Sequence, residues 1–448
     1  MLRIAFIPIL RKTFDVPLAE QKIALARQSL VDAGFELIEP NIAISSLEDV
    51  DEVVRLLGEQ AHDLLLIFQA TFADSTLVTA ISAGSSAGIF LWAIPEPWTG
   101  ERLRLNSLCG INLAGHALGL QKQRFAFAYG EADDPDVLKK ITLQANVGSV
   151  KKRLQSSRLG VIGEHPDGMD SCHLDADQLN ETFGLQVEKV PLEEFFAMAK
   201  TVPMEKVEAI REELGKSLNN LNNLEQTPLN KTMQVYQALH DLAHTKKLDG
   251  LAVRCWPEFF TQMGCAACGA MSMLSDGFFG RTPIPCSCEA DINGTVTQLI
   301  LQLFSNQPAF GTDMVGIDQE QNLVALWHCG LAPLSMADLQ SQPQGTIHSN
   351  RQLPLLMDFR LKPGVVTLAR VSQSGGKLRM VLGKGEMLDL PKPFSGTSGT
   401  LKPDHSAKTF LDNLMLEGLE HHISLTYSNV VPELEELAHQ LGLPILAI

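Results

Sequence analysis

Along residues 1–155, continuous apolar runs alternate with stretches whose apolar positions recur at three-and-four spacing. A short run with no polar interruption fits a strand buried on both faces, and three-and-four spacing fits a helix with one buried face. The pattern predicts strands at 3–9, 35–39, 63–68, 89–93 and 124–129, with helices over 18–33 and 47–59 between them. That alternation is the signature of a parallel, doubly wound sheet. A second α/β domain, 156–285, opens with a strand at 158–163 and a turn-rich stretch to 170. It continues through a long polar helical region, 192–224, and a helix over 233–245 that leads into a strand at 250–255. From 286 the character changes. After a helix at 292–304 come strands at 323–328, 365–371 and 377–382, with Ser374-Gly-Gly-Lys377 as a hairpin turn between the last two. The chain ends strand, helix, strand over 423–427, 431–441 and 444–448. The expected fold class is therefore α/β: two Rossmann-like doubly wound domains, 1–155 and 156–285, followed by a mixed, β-rich C-terminal domain, 286–448.

Charge narrows the partners. Asp and Glu number 52 against 36 Lys and Arg, a net charge of −16. This repels polyanions and leaves no basic face for nucleic acid or anionic lipid. No apolar run reaches the roughly 20 residues that span a bilayer. The apolar start is interrupted at Arg11 and Lys12, so it reads as a first strand rather than a signal peptide. The expectation is a cytoplasmic protein with its eight cysteines as reduced thiols, acting on a small molecule. No strand is followed by G-x-G-x-x-G or a Walker pattern, so a nucleotide cofactor is not indicated.

Two segments concentrate chemistry. Arg254-Cys-Trp-Pro-Glu258 follows the strand at 250–255, and Cys288-Glu-Ala-Asp291-Ile-Asn-Gly294 enters the helix at 292–304. Each ends an apolar or small-residue stretch with a carboxylate, a charge that is costly to desolvate without a metal, a proton or a cation. Both lie where open α/β sheets expose reactive groups. With the His421-His422 pair downstream they suggest an oxygen-rich divalent metal site.

These same residues resemble a known family. Cys255-Trp-Pro-Glu258 and Cys288-Glu-Ala-Asp291-x-x-Gly294 are similar to the two carboxylate motifs of the L-fucose isomerase group, with the L-arabinose isomerases more distant. Phe68-Gln-Ala-Thr-Phe-Ala-Asp74, Leu91-Trp-Ala-Ile-Pro-Glu-Pro97, Asn106-Ser-Leu-Cys-Gly110, Trp327-His-Cys-Gly330 and Gly418-Leu-Glu-His-His422 continue the resemblance in order over nearly the whole chain. It departs after the tyrosine at 427, where Ser428-Asn429 stands for Gly-Asp. The resemblance implies a metal-dependent aldose-ketose isomerase working through an enediol. Glu258 and Asp291 would be metal ligands that also act as acid and base, and His422 the third ligand. Mn(II) would be the ion, in a homo-oligomer that is hexameric or built on dimers. Trp92 would supply a flat apolar face for a sugar ring; read from the residues alone, His328 at the end of its β-run could hydrogen-bond a sugar hydroxyl and Arg254 beside the motif could meet an anion. Glu289 competes with Asp291 for the ligand role, and the motif favours Asp291.

Each residue also has a plainer reading. Glu258 and Asp291 could be carboxylates favoured at helix starts. His421, His422 and His328 could be satisfied structural histidines. Trp92 could be ordinary core at a strand end. Cys265, Cys268, Cys286 and Cys288 are spaced loosely like a zinc ribbon, with buried thiols as the default. The rival function is a non-catalytic sugar-binding or regulatory protein on the same fold. The substrate stays open among hexoses, deoxyhexoses, pentoses and anionic sugars, including sulphonated ones.

Overall fold

The computed structural model describes residues 1–448 and divides into two compact units, Met1–Arg153 with His439–Gly442, and Leu154–Ala438 with Leu443–Ile448. In the first unit β1 (Arg3–Ile9), β2 (Glu36–Ile38), β3 (Leu64–Gln69), β4 (Gly88–Ala93) and β5 (Phe125–Tyr129) form one parallel sheet. Its order is β2-β1-β3-β4-β5. The uninterrupted apolar runs have a direct cause. Ile4, Phe6, Leu64, Leu66 and Phe68 feed one core cluster, while Ala5, Ile7, Leu65 and Ile67 feed another. Successive side chains of a strand point to opposite faces, so a sheet covered on both sides needs apolar residues at every position. Helices Val16–Asp32 and Leu47–Glu59 match the three-and-four spacing. Asp15 caps the first by accepting from the Leu18 N–H at 3.0 Å.

The second unit holds two sheets. β6 (Arg158–Ile162), β7 (Gln186–Val190), β8 (Gly250–Val253) and β9 (Cys286–Ser287) run parallel in the order β7-β6-β8-β9. The long polar helical region expected at 192–224 holds two helices, Leu192–Lys200 and Met204–Leu214. Pro203 separates them, because proline cannot continue the hydrogen-bond ladder of a preceding helix.

The remaining strands are β10 (Phe310–Asp318), β11 (Leu323–His328), β12 (Gln344–Thr346), β13 (Leu356–Arg360), β14 (Gly364–Ser372), β15 (Arg379–Met387), β16 (Thr397–Pro403), β17 (His422–Thr426) and β18 (Ile445–Ala447). They form a nine-stranded mixed sheet ordered β12-β13-β16-β11-β10-β17-β14-β15-β18. β15 also pairs with β16, so six of its strands close into a ring. Helix Ile292–Ser305 packs on β8 and β9 and also on β14 and β17, which makes it a layer between the two sheets. Its first ten residues are all buried for that reason. No helix in the chain is long and apolar enough to cross a membrane.

Candidate active site

The carboxyl ends of β6, β8 and β9 supply one rim of the site. β7 and β8 flank β6 on opposite sides, and in open α/β sheets such a switch of direction leaves a crevice beyond the strand ends. The loop after β8 begins with Arg254, whose Nη1 donates to the carbonyls of Glu164 and His165 in the loop after β6, at 3.3 and 3.1 Å. Beyond β9 the backbone takes left-handed conformations at two consecutive non-glycine residues, Glu289 (φ 57°) and Ala290 (φ 56°). Such conformations cost on the order of 1–3 kcal/mol each and gather at functional sites.

That turn sends two acids in different directions. Asp291 is buried, caps the following helix by accepting from the Gly294 N–H at 2.9 Å, and is gripped by Arg370 through two bonds of 2.5 and 2.9 Å. Gly294 is required by this packing, since a Cβ there would lie 2.5 Å from Asp291 Oδ2. Burial alone would raise the Asp291 pKa, but Arg370 and His422 outweigh it and hold the carboxyl well below the usual range. Arg370 Nε also lies 3.8 Å from the buried Glu420.

Glu289 meets no arginine among its bonded partners. His421 Nε2 lies 3.0 Å from its Oε2, the Trp256 indole N–H donates to Oε1 at 3.3 Å, and the Cys172 thiol is 3.9 Å away. His421 Nδ1 is in turn 2.9 Å from Ser171 Oγ. Burial raises the Glu289 pKa, and the neighbouring imidazoles more than reverse that.

His422 stands between the two groups. Its Nδ1 is 3.1 Å from Asp291 Oδ2. An ionised carboxylate accepts, so Nδ1 carries the proton and Nε2 presents a lone pair. Nε2 faces Asp313 Oδ1 and Cys288 Sγ, each at 3.5 Å. Asp313 arrives by register, since it pairs directly with His422 across β10 and β17. Its Oδ1 is buried with no hydrogen-bond partner. An unmet carboxylate oxygen beside an imidazole lone pair fits a divalent cation, and so does the chemistry of an O,O,N donor set. Glu289, His421, His422 and Cys172 also hold their donor atoms within 4.8 Å of one another.

The residues named from sequence are thus distributed unevenly. His422 is at the centre. Asp291 touches it from behind, with its charge met by Arg370. Glu258 is paired with Arg254 at 2.8 Å, and this bond lowers its pKa. His328 lies beside His422 with ring centroids 5.7 Å apart, and burial pushes its pKa down to about 4, leaving a neutral imidazole. Trp92 is buried in the first unit, donating to the Gly130 carbonyl at 3.1 Å and meeting Phe68 edge-on, so it is core and offers no open face. Cys265, Cys268, Cys286 and Cys288 do not converge. Cys268 instead meets Cys329 at 3.1 Å, and Cys288 meets His328. Asp313 escaped the sequence reading altogether. The available signal was an acidic residue inside a strand-length segment, a position from which Asp is depleted.

The last 123 or so residues, 326–448, match the family model for the C-terminal domain of L-fucose isomerase. End to end, the chain is 33% identical over 452 residues to a sulfoquinovose isomerase of Alkalicoccus urumqiensis, covering 100% of both proteins. It is 32% identical to the sulfoquinovose isomerase of Priestia megaterium and 29% to that of Clostridium sp. (strain MSTE9), each across 98% of both chains. With similarity of this extent joined to the motifs and sheets above, the chain belongs to the fucose isomerase-like family and is an aldose-ketose isomerase.

Proposed function

We propose that this enzyme interconverts sulfoquinovose, an anionic sulphonated sugar, and the corresponding ketose, with Glu289, Asp313 and His422 as the metal ligands in place of the Glu258, Asp291 and His422 set. The observation that carries the site is Asp313 Oδ1, buried with no hydrogen-bond partner and 3.5 Å from His422 Nε2, while Glu289 and His422 hold their donor atoms within 4.8 Å of each other. The activity by which the relatives matched over their whole length are named, sulfoquinovose isomerase, supports the substrate.

Aldose-ketose conversion moves a proton between adjacent carbons. Glu289 carries that proton, and His421, itself held by Ser171, fixes the carboxylate in place. Asp291 is a positioning residue that keeps the His422 proton on Nδ1. When bound, a divalent cation, Mn(II) for an O,O,N set, stabilises the negative charge that develops on the sugar oxygens. Arg254 provides a guanidinium for the sulfonate at the rim of the crevice. A homo-oligomer is supported by the exposed Phe127 and Tyr129 on the edge strand β5.

The test is incubation of the full chain with sulfoquinovose before and after chelation and Mn(II) readdition, with detection of the ketose and with L-fucose and L-arabinose as comparison substrates. Ketose should form from sulfoquinovose in preference and should require the metal. Preference for a neutral sugar would overturn the substrate, and full activity after rigorous stripping would overturn the ligand set. Sedimentation of an active monomer would contradict the oligomer.

A further inference from the structure

Cys288 has no role in the isomerisation just described, yet its sulfur occupies the second rim of the same lone pair. Sγ lies 3.5 Å from His422 Nε2 and 3.1 Å from His328 Nε2, and all three residues are buried. The His328 tautomer is set locally. The Cys329 backbone N–H donates to His328 Nδ1 at 3.1 Å, and since a backbone N–H can only donate, the ring proton sits on Nε2 and points at the sulfur. Cys288 Sγ therefore receives one N–H from His328 and faces an imidazole lone pair on His422. The Cys255 thiol is near enough to the same sulfur to push the Cys288 pKa up, together with burial.

His422 Nε2 is thus shared between two sets of donors with different preferences. On one side are the carboxylates of Asp313 and Glu289, suited to Mn(II). On the other is a sulfur. Zinc in a tetrahedral site has Zn–S near 2.3 Å and Zn–N near 2.0–2.1 Å, which puts an S and an N ligand of one ion roughly 3.5 Å apart. The separation between Cys288 Sγ and His422 Nε2 already has that value. Thiolate donors select zinc and other thiophilic ions over manganese, and zinc outranks manganese at nearly any N, O or S site.

We propose that Cys288 and His422 form a binding mode for thiophilic divalent cations, zinc or cadmium, that draws His422 Nε2 away from the oxygen-rich set and blocks isomerisation. Binding replaces the thiol S–H bond by a sulfur–metal bond, and the proton leaves to solvent, so no oxidant or reductant is involved. His328 remains a hydrogen-bond donor to the metal-bound sulfur and is not a ligand. The block of isomerisation rests on the catalytic reading, and the binding itself is read without turnover.

The metal-free full chain is titrated with cadmium while the ultraviolet thiolate-to-cadmium charge-transfer band is followed. One equivalent should produce the band, and excess Mn(II) should suppress it by competing for His422. Cys288→Ser should abolish the band and weaken cadmium binding by roughly 10–100-fold or more, the range that loss of even an outer partner of a metal site produces. Cys265→Ser, whose thiol is buried elsewhere, should leave the band intact. Circular dichroism establishes that Cys288→Ser is folded. If it is not, cadmium NMR of the unmutated chain reads the number of sulfur ligands directly. One sulfur supports the proposal, and so do two, which would add Cys255. No band, a band that survives Cys288→Ser in folded protein, or a cadmium shift without sulfur overturns it. Catalytically, zinc added to the Mn(II)-loaded enzyme should inhibit, and inhibition that is unchanged in folded Cys288→Ser would overturn the link to His422.

Discussion

Glu289 and Asp291 leave the end of β9 two residues apart and meet opposite chemical surroundings. Asp291 turns into the interior, where Arg370 matches its charge through two bonds. Glu289 turns toward the crevice, where its bonded partners are an imidazole, an indole N–H and a thiol. A buried carboxylate gripped by a guanidinium has its charge cancelled and its oxygens occupied, which suits it to hold other groups in place. A carboxylate held by weaker, partly neutral donors still has charge to offer a cation or a proton. The same contrast separates Glu258, paired with Arg254, from Asp313, whose Oδ1 has no partner.

The sharpest way to break this comparison is to neutralise one member of each class. Glu289→Gln and Asp313→Asn should each lower kcat by roughly 10²–10⁴-fold, the range for loss of a positioned acid or base, and weaken Mn(II) binding measured by titration. Both should leave the thermal midpoint nearly unchanged, since neither breaks a pair with an arginine. If both variants turn over at the normal rate, the assignment of Glu289 and Asp313 fails.

Asp291→Asn should show the converse pattern. It leaves Arg370 buried with only a loose contact to Glu420, and removing one member of a buried pair costs about 3–5 kcal/mol. Denaturant unfolding should show that loss. Replacing both partners by apolar residues, Asp291→Leu with Arg370→Met, should cost less than the single change. In folded Asp291→Asn the Mn(II) affinity should fall by about 10–100-fold, as expected when a histidine ligand loses the partner that fixes its tautomer. An Asp291→Asn enzyme as stable as the parent would remove the structural half of the contrast.

Much of this was legible in the sequence, and the boundary has physical causes. The central strands of the first unit, β1, β3 and β4, could be read because each is apolar on both faces, and Leu47–Glu59 and Leu323–His328 fall where periodicity puts them. β10 and β16 were missed. Phe310–Asp318 carries two glycines and two aspartates and is only partly buried beyond its first three residues, while Thr397–Pro403 is dominated by small and polar residues whose partners lie across the closed ring. His422, Asp291 and Glu289 all stood among the candidates in the sequence, and what gives the two acids different surroundings is Arg370, 79 positions beyond Asp291. A local motif holds no such information. The nearest clue was Arg370 itself, a cation in the middle of the apolar run Val365–Val371 that had to have a buried partner. Asp313 becomes meaningful only through its register with His422, 109 positions away (422 − 313).

The smallest expected effect belongs to Glu258, and it tests the contrast where the sequence motif and the geometry diverge most. Its bond to Arg254 is partly exposed, and pairs of that kind contribute about 1 kcal/mol or less. Glu258→Gln should therefore scarcely change the unfolding midpoint. It should also leave kcat near the parent value, because the carboxylate is already committed to Arg254. What it should change is KM. Neutralising Glu258 frees the Arg254 guanidinium from a competing anion, so KM for a sulphonated sugar should fall a few-fold, while KM for a neutral sugar stays the same. Steady-state kinetics on both kinds of substrate separate the possibilities. A fall confined to the anionic sugar places Arg254 at the sulfonate. A loss of kcat as deep as that of Glu289→Gln would return Glu258 to the metal and restore the reading of the Cys-Trp-Pro-Glu motif as a ligand motif.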